Sequence, residues 1–198
     1  MNKKIQKYIS ENISIIIKLV SIYAIGIVIG VIFFKISGMK QDYIKVVQDI
    51  FNSTKEENFK GINLIYNGIK NNVVIFATLY LSLLTIIAPF IIGIIIMLKG
   101  AMLGIYTCII FNVFGFGKGL IVTILTILLP NLLSLLAYIF SSTNIISFFK
   151  KLAGGETIGV GLIIKQVYWC VLSLSLLCLS VVVEQLISGI ILRLYNKV

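Results

Sequence analysis

Residues 73–114 read VVIFATLYLSLLTIIAPFIIGIIIMLKGAMLGIYTCIIFNVF, an almost unbroken apolar run in which Lys99 is the single charged residue. A transmembrane helix needs about 20 mainly apolar residues, so this run is long enough for two membrane spans. The run therefore predicts a helical protein that crosses the membrane more than once.

The composition of the whole chain supports the same fold class. The 198 residues are 59% hydrophobic and only 12% charged, and the mean hydropathy is +1.09. Soluble domains contain about 45–50% apolar and about 25% charged residues, so an ordinary soluble globular protein is excluded. We predict an all-α, polytopic integral membrane helix bundle that forms a single membrane domain over 1–198.

Five spans follow from the apolar runs. The turn between the second and third spans can lie at Leu98-Lys99-Gly100, which has the better turn chemistry, or at Ala88-Pro89, which gives more even helix lengths. We place it at Lys99, and we expect the Gly-rich run 115–119 to form the next loop. The predicted spans are 13–34, 73–97, 101–114, 120–140 and 167–192.

The orientation is predicted from Lys and Arg near the span ends, which favour the cytoplasmic side. A cytoplasmic N-terminus satisfies this rule once the 35–72 segment is left out, because its Lys residues are balanced by acids. Residues 35–72 then lie outside the cell membrane and residues 141–166 inside. The net charge of +10 indicates contact with anionic lipid rather than with nucleic acid.

Two segments outside the spans are predicted to be helical. Residues 42–71 carry an apolar stripe that either packs on headgroups and on the bundle or forms a docking face for an external partner. Residues 144–153 form a short internal helix that lies on the lipid interface. The candidate partner-binding residues of the first segment are Tyr43, Val47, Phe51, Phe59, Ile62, Tyr66 and Ile69.

Polar residues inside the predicted spans are the next candidates for function. Glu184 is expected inside the last span, where an acid is costly unless it is neutral, paired or hydrated. It can fix helix register, hold a proton or cation, or contact a partner subunit. Pro130 and Asn131 interrupt the fourth span, and Asn131 can bond the backbone carbonyl that the proline frees.

Two glycine pairs have the spacing of helix-packing motifs. Gly26 and Gly30 lie four residues apart in the first span, and Gly100 and Gly104 repeat the spacing in the third. Small residues at this spacing let helix backbones approach closely. They predict helix packing within the chain, or else a homodimer or partner contact.

Catalytic and cofactor motifs are absent from the sequence. The chain has no His, and Cys108, Cys170 and Cys178 all lie in apolar runs without metal-ligand spacing. No Walker motif, HExxH or G-x-S-x-G occurs. We therefore expect a protein that is not an enzyme, and that binds neither metal nor cofactor.

The order of several features resembles the stage II sporulation protein M family over nearly the whole chain. Lys70-Asn71-Asn72 precedes the second span, Pro130-Asn131 breaks the fourth, and Val183-Glu184 lies in the last. The fourth span lacks the Pro-His-Gly and the following Glu of many members, which favours the sporulation branch over a transport-like branch. Further matching features are Gly93, Gly100, Gly104 and the Gly-rich stretch 154–159.

The resemblance implies a non-catalytic scaffold in endospore formation. Such a protein lies in the mother-cell membrane at the septum and localises two peptidoglycan-degrading partners, sporulation proteins D and P, during engulfment. The alternative is a small permease or permease subunit, in which Glu184, Asn131 and Lys99 line a polar path.

Overall fold

A computed structural model describes residues 3–37, 45, 61–83, 85, 87–155 and 159–195. Helices dominate these residues, and the described ranges contain no strand. The predicted all-α class is therefore confirmed. The helices are α1 (Lys3–Ile36), α2 (Gly61–Ser82), α3 (Ala88–Val122), α4 (Leu129–Ala153) and α5 (Val160–Tyr195), with a π-helical segment at Thr123–Leu128.

The membrane character of the chain is visible in helix length and in surface chemistry. Among the described residues, four helical stretches are long and apolar enough to cross a membrane. Large apolar side chains such as Val28, Phe90 and Leu186 are exposed on the outside of the bundle. Soluble proteins rarely expose contiguous apolar surface on this scale, whereas lipid solvates it. The four stretches are Tyr8–Ile36, Ala88–Leu125, Leu129–Ala153 and Ile163–Glu184.

The predicted turn at Lys99 is wrong. Helix α2 ends at Ser82, and α3 begins at Ala88 and continues through Lys99 and Gly100. Pro89 stands in the first turn of α3, where its missing N–H costs no hydrogen bond and its fixed φ suits a helix start. The second predicted span thus begins earlier and ends earlier than 73–97, and Gly100 and Gly104 lie well inside α3.

The predicted loop over residues 115–119 is reduced to one residue. Gly115 has φ +73° and ψ 176°, and helical backbone continues on both sides of it. A Cβ on Gly119 would lie 3.2 Å from the Cα of Phe111, whereas eight residues of straight helix span about 12 Å. The chain therefore folds back on itself at Gly115.

The segment after this reversal is longer than the predicted fourth span of 120–140. The π-helix at Thr123–Leu128 leads directly into α4, and Pro130 stands in the first turn of α4. A π-helical segment before a proline shifts the backbone hydrogen bonds that the ring would otherwise break. The predicted interfacial helix 144–153 is not a separate element, because α4 runs unbroken to Ala153.

The core of the bundle is built from all five helices. Leu79, Ile92, Ile96, Ile145 and Leu177 are fully buried and belong to one cluster. Helix α1 packs mainly on α3, and α4 packs mainly on α5, while α2 contacts α3, α4 and α5. This arrangement brings α2, α3 and α4 together around the middle of α3.

Candidate intramembrane polar site

Lys99 lies in the middle of α3 and points towards two other helices. Its Nζ donates a hydrogen bond to Asn72 Oδ1 on α2 over 3.0 Å, and it lies 5.0 Å from the centre of the Tyr138 ring on α4. A lysine inside an apolar span is costly unless polar or aromatic groups replace its water. Asn72 and Tyr138 supply those groups.

Asn72 joins three helices through one side chain. Its Oδ1 accepts a second hydrogen bond of 3.0 Å from the Tyr138 hydroxyl, and its Nδ2 donates to the Gly68 carbonyl over 3.1 Å. Oδ1 has two lone pairs, so Lys99 and Tyr138 fill its capacity as an acceptor. The two cross-helix bonds hold α3 and α4 to α2.

A small cavity adjoins Lys99. Its volume is about 10 Å³, which is room for about one water molecule. Lys99 and Asn131 both line it, so the structure brings together two of the three residues of the predicted polar path. The full lining is Tyr23, Ile96, Lys99, Asn131, Ser134, Leu135 and Tyr138.

Glu184 is the third residue of that predicted path, and it stands apart from the cavity. Its side chain on α5 is exposed, and it is not among the residues that line the cavity. The structure therefore does not bring Glu184 together with Lys99 and Asn131 at that cavity.

The glycine pairs all lie at one interface between α1 and α3. A Cβ on Gly26 would clash with the Met97 carbonyl, and one on Gly30 would clash with the Ala101 carbonyl. On the facing helix, Gly100 and Gly104 meet the backbone of α1 in the same way, at Tyr23 and Ile27. The four glycines thus bring two backbones into direct contact within one chain.

The candidate partner-binding residues fall partly outside the described ranges. Tyr43, Val47, Phe51 and Phe59 lie outside them, and Ile62 lies in helical backbone at the start of α2. Tyr66 is 66% exposed, and Ile69 is half-buried. Tyr66 is thus the one member of the set for which an exposed side chain is described.

Sequence reasoning missed Asn72 and Tyr138 as site residues. Asn72 is 27 residues from Lys99, and Tyr138 is 66 residues from Asn72, so no local spacing connects them. The available signal was Lys99 itself, because a cation inside an apolar run needs acceptors from neighbouring helices.

Comparisons of the chain with protein-family models, with curated proteins and with solved structures give no match. The geometry described above and the resemblance of the sequence are therefore the basis for a functional proposal.

Proposed function

We propose that the protein is a non-catalytic membrane scaffold of endospore formation. In this role it holds peptidoglycan-degrading partners, sporulation proteins D and P, at the septal membrane of the mother cell during engulfment. The proposal rests on the resemblance to the stage II sporulation protein M family and on the geometry at the centre of the bundle. The N-terminus would lie in the cytoplasm.

The observation that carries the proposal is the way the central polar groups bond to one another. Asn72 Oδ1 accepts from both Lys99 and Tyr138, and the adjoining cavity has room for about one water. Polar groups used in this way fasten helices together and leave little space for a solute. Helices that are bonded to one another in this way suit a protein whose role is to position its partners.

The α1–α3 interface supports the same role. Backbone contact at Gly26, Gly30, Gly100 and Gly104 leaves little freedom for these helices to slide, since closely packed backbones maximise van der Waals contact. Close backbone contact of this kind holds α1 and α3 in one arrangement, which is what a scaffold requires.

The partners can be tested by affinity purification of the tagged protein from detergent-solubilised membranes of sporulating cells. We expect sporulation proteins D and P to be recovered with it. Recovery of a transport ATPase subunit, or of the tagged protein alone, would count against the scaffold proposal.

The partner surface can be tested within the same assay. Deletion of residues 43–58 leaves α2 whole, since α2 begins at Gly61, and it should abolish recovery of the partners. The Tyr66→Ala variant should weaken recovery, while Tyr106→Ala, which alters an exposed tyrosine on α3, should not. Equal recovery of the partners with all variants would show that the partner surface lies elsewhere on the chain.

A permease is the second candidate function. Convergence of Lys99 and Asn131 on one cavity favours it, because ionisable groups inside membrane bundles often line ion or substrate paths. Uptake of a charged solute by reconstituted vesicles, lost in Asn131→Leu and in Lys99→Met, would support the permease and contradict a purely structural centre.

A further inference from the structure

The cavity beside Lys99 has a positive charge in its lining and no negative one. Lys99 is the single charged residue among those that line it, and none of the others is an acid. Within the described part of the chain, no carboxylate forms an ion pair with Lys99. Charged groups inside proteins are normally paired with an opposite charge, so the cavity lies next to a cation whose counter-charge is missing.

Lys99 also has hydrogen-bond donors to spare. An ammonium group carries three N–H donors and no acceptor. Asn72 Oδ1 accepts one of them, and the ring of Tyr138 faces the group from 5.0 Å. Among the described residues, no second oxygen accepts a hydrogen bond from Lys99. An occupant of the cavity could therefore accept one from it.

Tyr23 supplies a second donor from another helix. It is a buried residue of α1 and lines the same cavity. Its hydroxyl makes no hydrogen bond to any described residue. Unlike the hydroxyl of Tyr8, which other atoms enclose completely, that of Tyr23 keeps some open surface. The cavity thus lies between a cation on α3 and a hydroxyl donor on α1.

The other hydroxyl groups of the lining already have acceptors. Tyr138 donates to Asn72 Oδ1, and Ser134 donates to the backbone carbonyl of Asn131 over 3.1 Å. The donors left for an occupant are those of Lys99 and Tyr23. A group that accepts hydrogen bonds and carries negative charge fits this lining, whereas a cation would be repelled by the ammonium.

The size of the cavity limits the anion to a single atom. Its volume of about 10 Å³ is room for about one water molecule. Phosphate, sulfate and carboxylate groups have several heavy atoms each and need more space. Chloride is the common monatomic anion of cells, and it is only slightly larger than water.

We propose that this cavity binds one chloride ion between Lys99 and Tyr23. The ion neutralises the lysine inside the apolar bundle, and it accepts hydrogen bonds from the ammonium on α3 and from the hydroxyl on α1. It thereby adds a polar link between two helices whose other contacts are made by glycine backbones. This site is independent of the proposed scaffold role, since it requires no partner protein.

The proposal can be tested by the binding of radioactive chloride to the purified protein in detergent, prepared in a gluconate medium without chloride. We expect one chloride per chain. Lys99→Met should abolish the binding, whereas Lys18→Met, at an exposed lysine of α1, should leave it unchanged. Absence of binding to the unaltered protein, or binding that survives Lys99→Met, would overturn the proposal.

A milder variant keeps the test decisive if Lys99→Met fails to fold. Tyr23→Phe removes one donor and leaves the ring in place, so it should weaken chloride binding by about tenfold, the effect of one hydrogen bond to a charged group. Tyr106→Phe, at an exposed tyrosine of α3, serves as its control. Equal affinities in these two variants would contradict the position of the ion.

Glu184 is the acid that could replace chloride as the counter-charge. If it did, the unaltered protein would not bind chloride and Glu184→Gln would, which would overturn the proposal. We expect both proteins to bind one ion. Chloride should also raise the midpoint of thermal unfolding relative to the same concentration of gluconate, because a ligand that binds the folded state stabilises it. Lys99→Met should remove this rise.

Discussion

Asn72 shows how a single side-chain amide can hold together the polar groups at the centre of a membrane helix bundle. It accepts from a lysine and from a tyrosine on two different helices, and both donors would otherwise lie in an apolar interior. Hydrogen bonds to charged groups contribute about 1.5–3 kcal/mol, more than neutral ones. The stability of the α2–α3–α4 contact should therefore depend strongly on this residue.

The neighbouring Asn71 provides a matched control for that dependence, because its side chain is exposed. We expect Asn72→Ala to lower the free energy of unfolding by about 2–4 kcal/mol, since Lys99 and Tyr138 both lose their acceptor. Asn71→Ala should change it by less than about 0.5 kcal/mol. Unfolding of the purified protein in mixed micelles with increasing SDS measures both, and similar losses would contradict the assigned role of Asn72.

A double variant tests whether Asn72 stabilises the protein through its hydrogen bond to the buried Lys99. Lys99→Met removes the cation that Asn72 satisfies, so adding it to Asn72→Ala should cost less than the sum of the two single changes. Residues in one hydrogen-bonded network commonly show interaction energies of about 0.5–3 kcal/mol. Additive losses in the same unfolding assay would show that Asn72 and Lys99 act independently.

Sequence reasoning could identify Lys99 as unusual but could not find its partners. Lys-Gly at positions 99–100 has the local chemistry of a turn, and that local signal favoured the wrong boundary. The structure keeps Lys99 inside α3 because two side chains from distant parts of the chain satisfy it. Tertiary contacts of this kind leave no trace in the spacing of one sequence.

At the scale of elements, α1 and α3 pack with their backbones in direct contact at four glycines. Gly30 faces the Ala101 carbonyl with no room for a methyl group. The glycine spacing itself was visible in the sequence, because residues four apart share a helix face. Which helix the first span would meet was not visible, since both pairs could equally have faced a second copy of the chain.

We expect Gly30→Ala to destabilise the bundle by several kcal/mol or to prevent its folding, because the added methyl group forces two backbones apart. Gly117→Ala is the control, since a Cβ there meets nothing within 4 Å. In a helix this exchange should be neutral or stabilising by up to about 1 kcal/mol. Thermal unfolding of the two purified variants is the measurement, and an unaffected Gly30→Ala would contradict the close α1–α3 contact.

The reversal of the chain at Gly115 can also be tested by the addition of a single methyl group. The φ of +73° and ψ of 176° of Gly115 lie in a backbone region that is essentially restricted to glycine and that costs other residues about 1–3 kcal/mol. Gly115→Ala should therefore lower stability by that amount, although a Cβ there also meets open space. Equal stability of Gly115→Ala and Gly117→Ala would show that the chain does not turn at Gly115.

At the scale of the whole molecule, composition alone predicted the fold class correctly. A chain with 12% charged residues has too few of them to cover a water-facing surface, and the described helices expose apolar side chains outward. Helix ends were less predictable. Ser142, Thr143 and Asn144 have the chemistry of helix caps, yet they lie buried inside α4, where tertiary packing overrides local preference.

The orientation in the membrane remains a prediction from the distribution of Lys and Arg. In a protein without its native cysteines, Gly117→Cys should react with an impermeant maleimide added outside intact cells, and Gly155→Cys should react only after the cells are opened. Both positions are free of close neighbours. The reverse pattern would place the N-terminus outside.

The pairing of α1 with α3 also has a consequence for synthesis. The first helix leaves the ribosome well before the backbone that it must contact, because all of α2 intervenes. At roughly 5–20 residues per second, α1 waits several seconds in the bilayer with its glycine face uncovered. During that interval another newly made protein, or an insertion chaperone, can occupy the face, so the yield of correctly assembled protein should depend on how fast translation proceeds between the first and third helices.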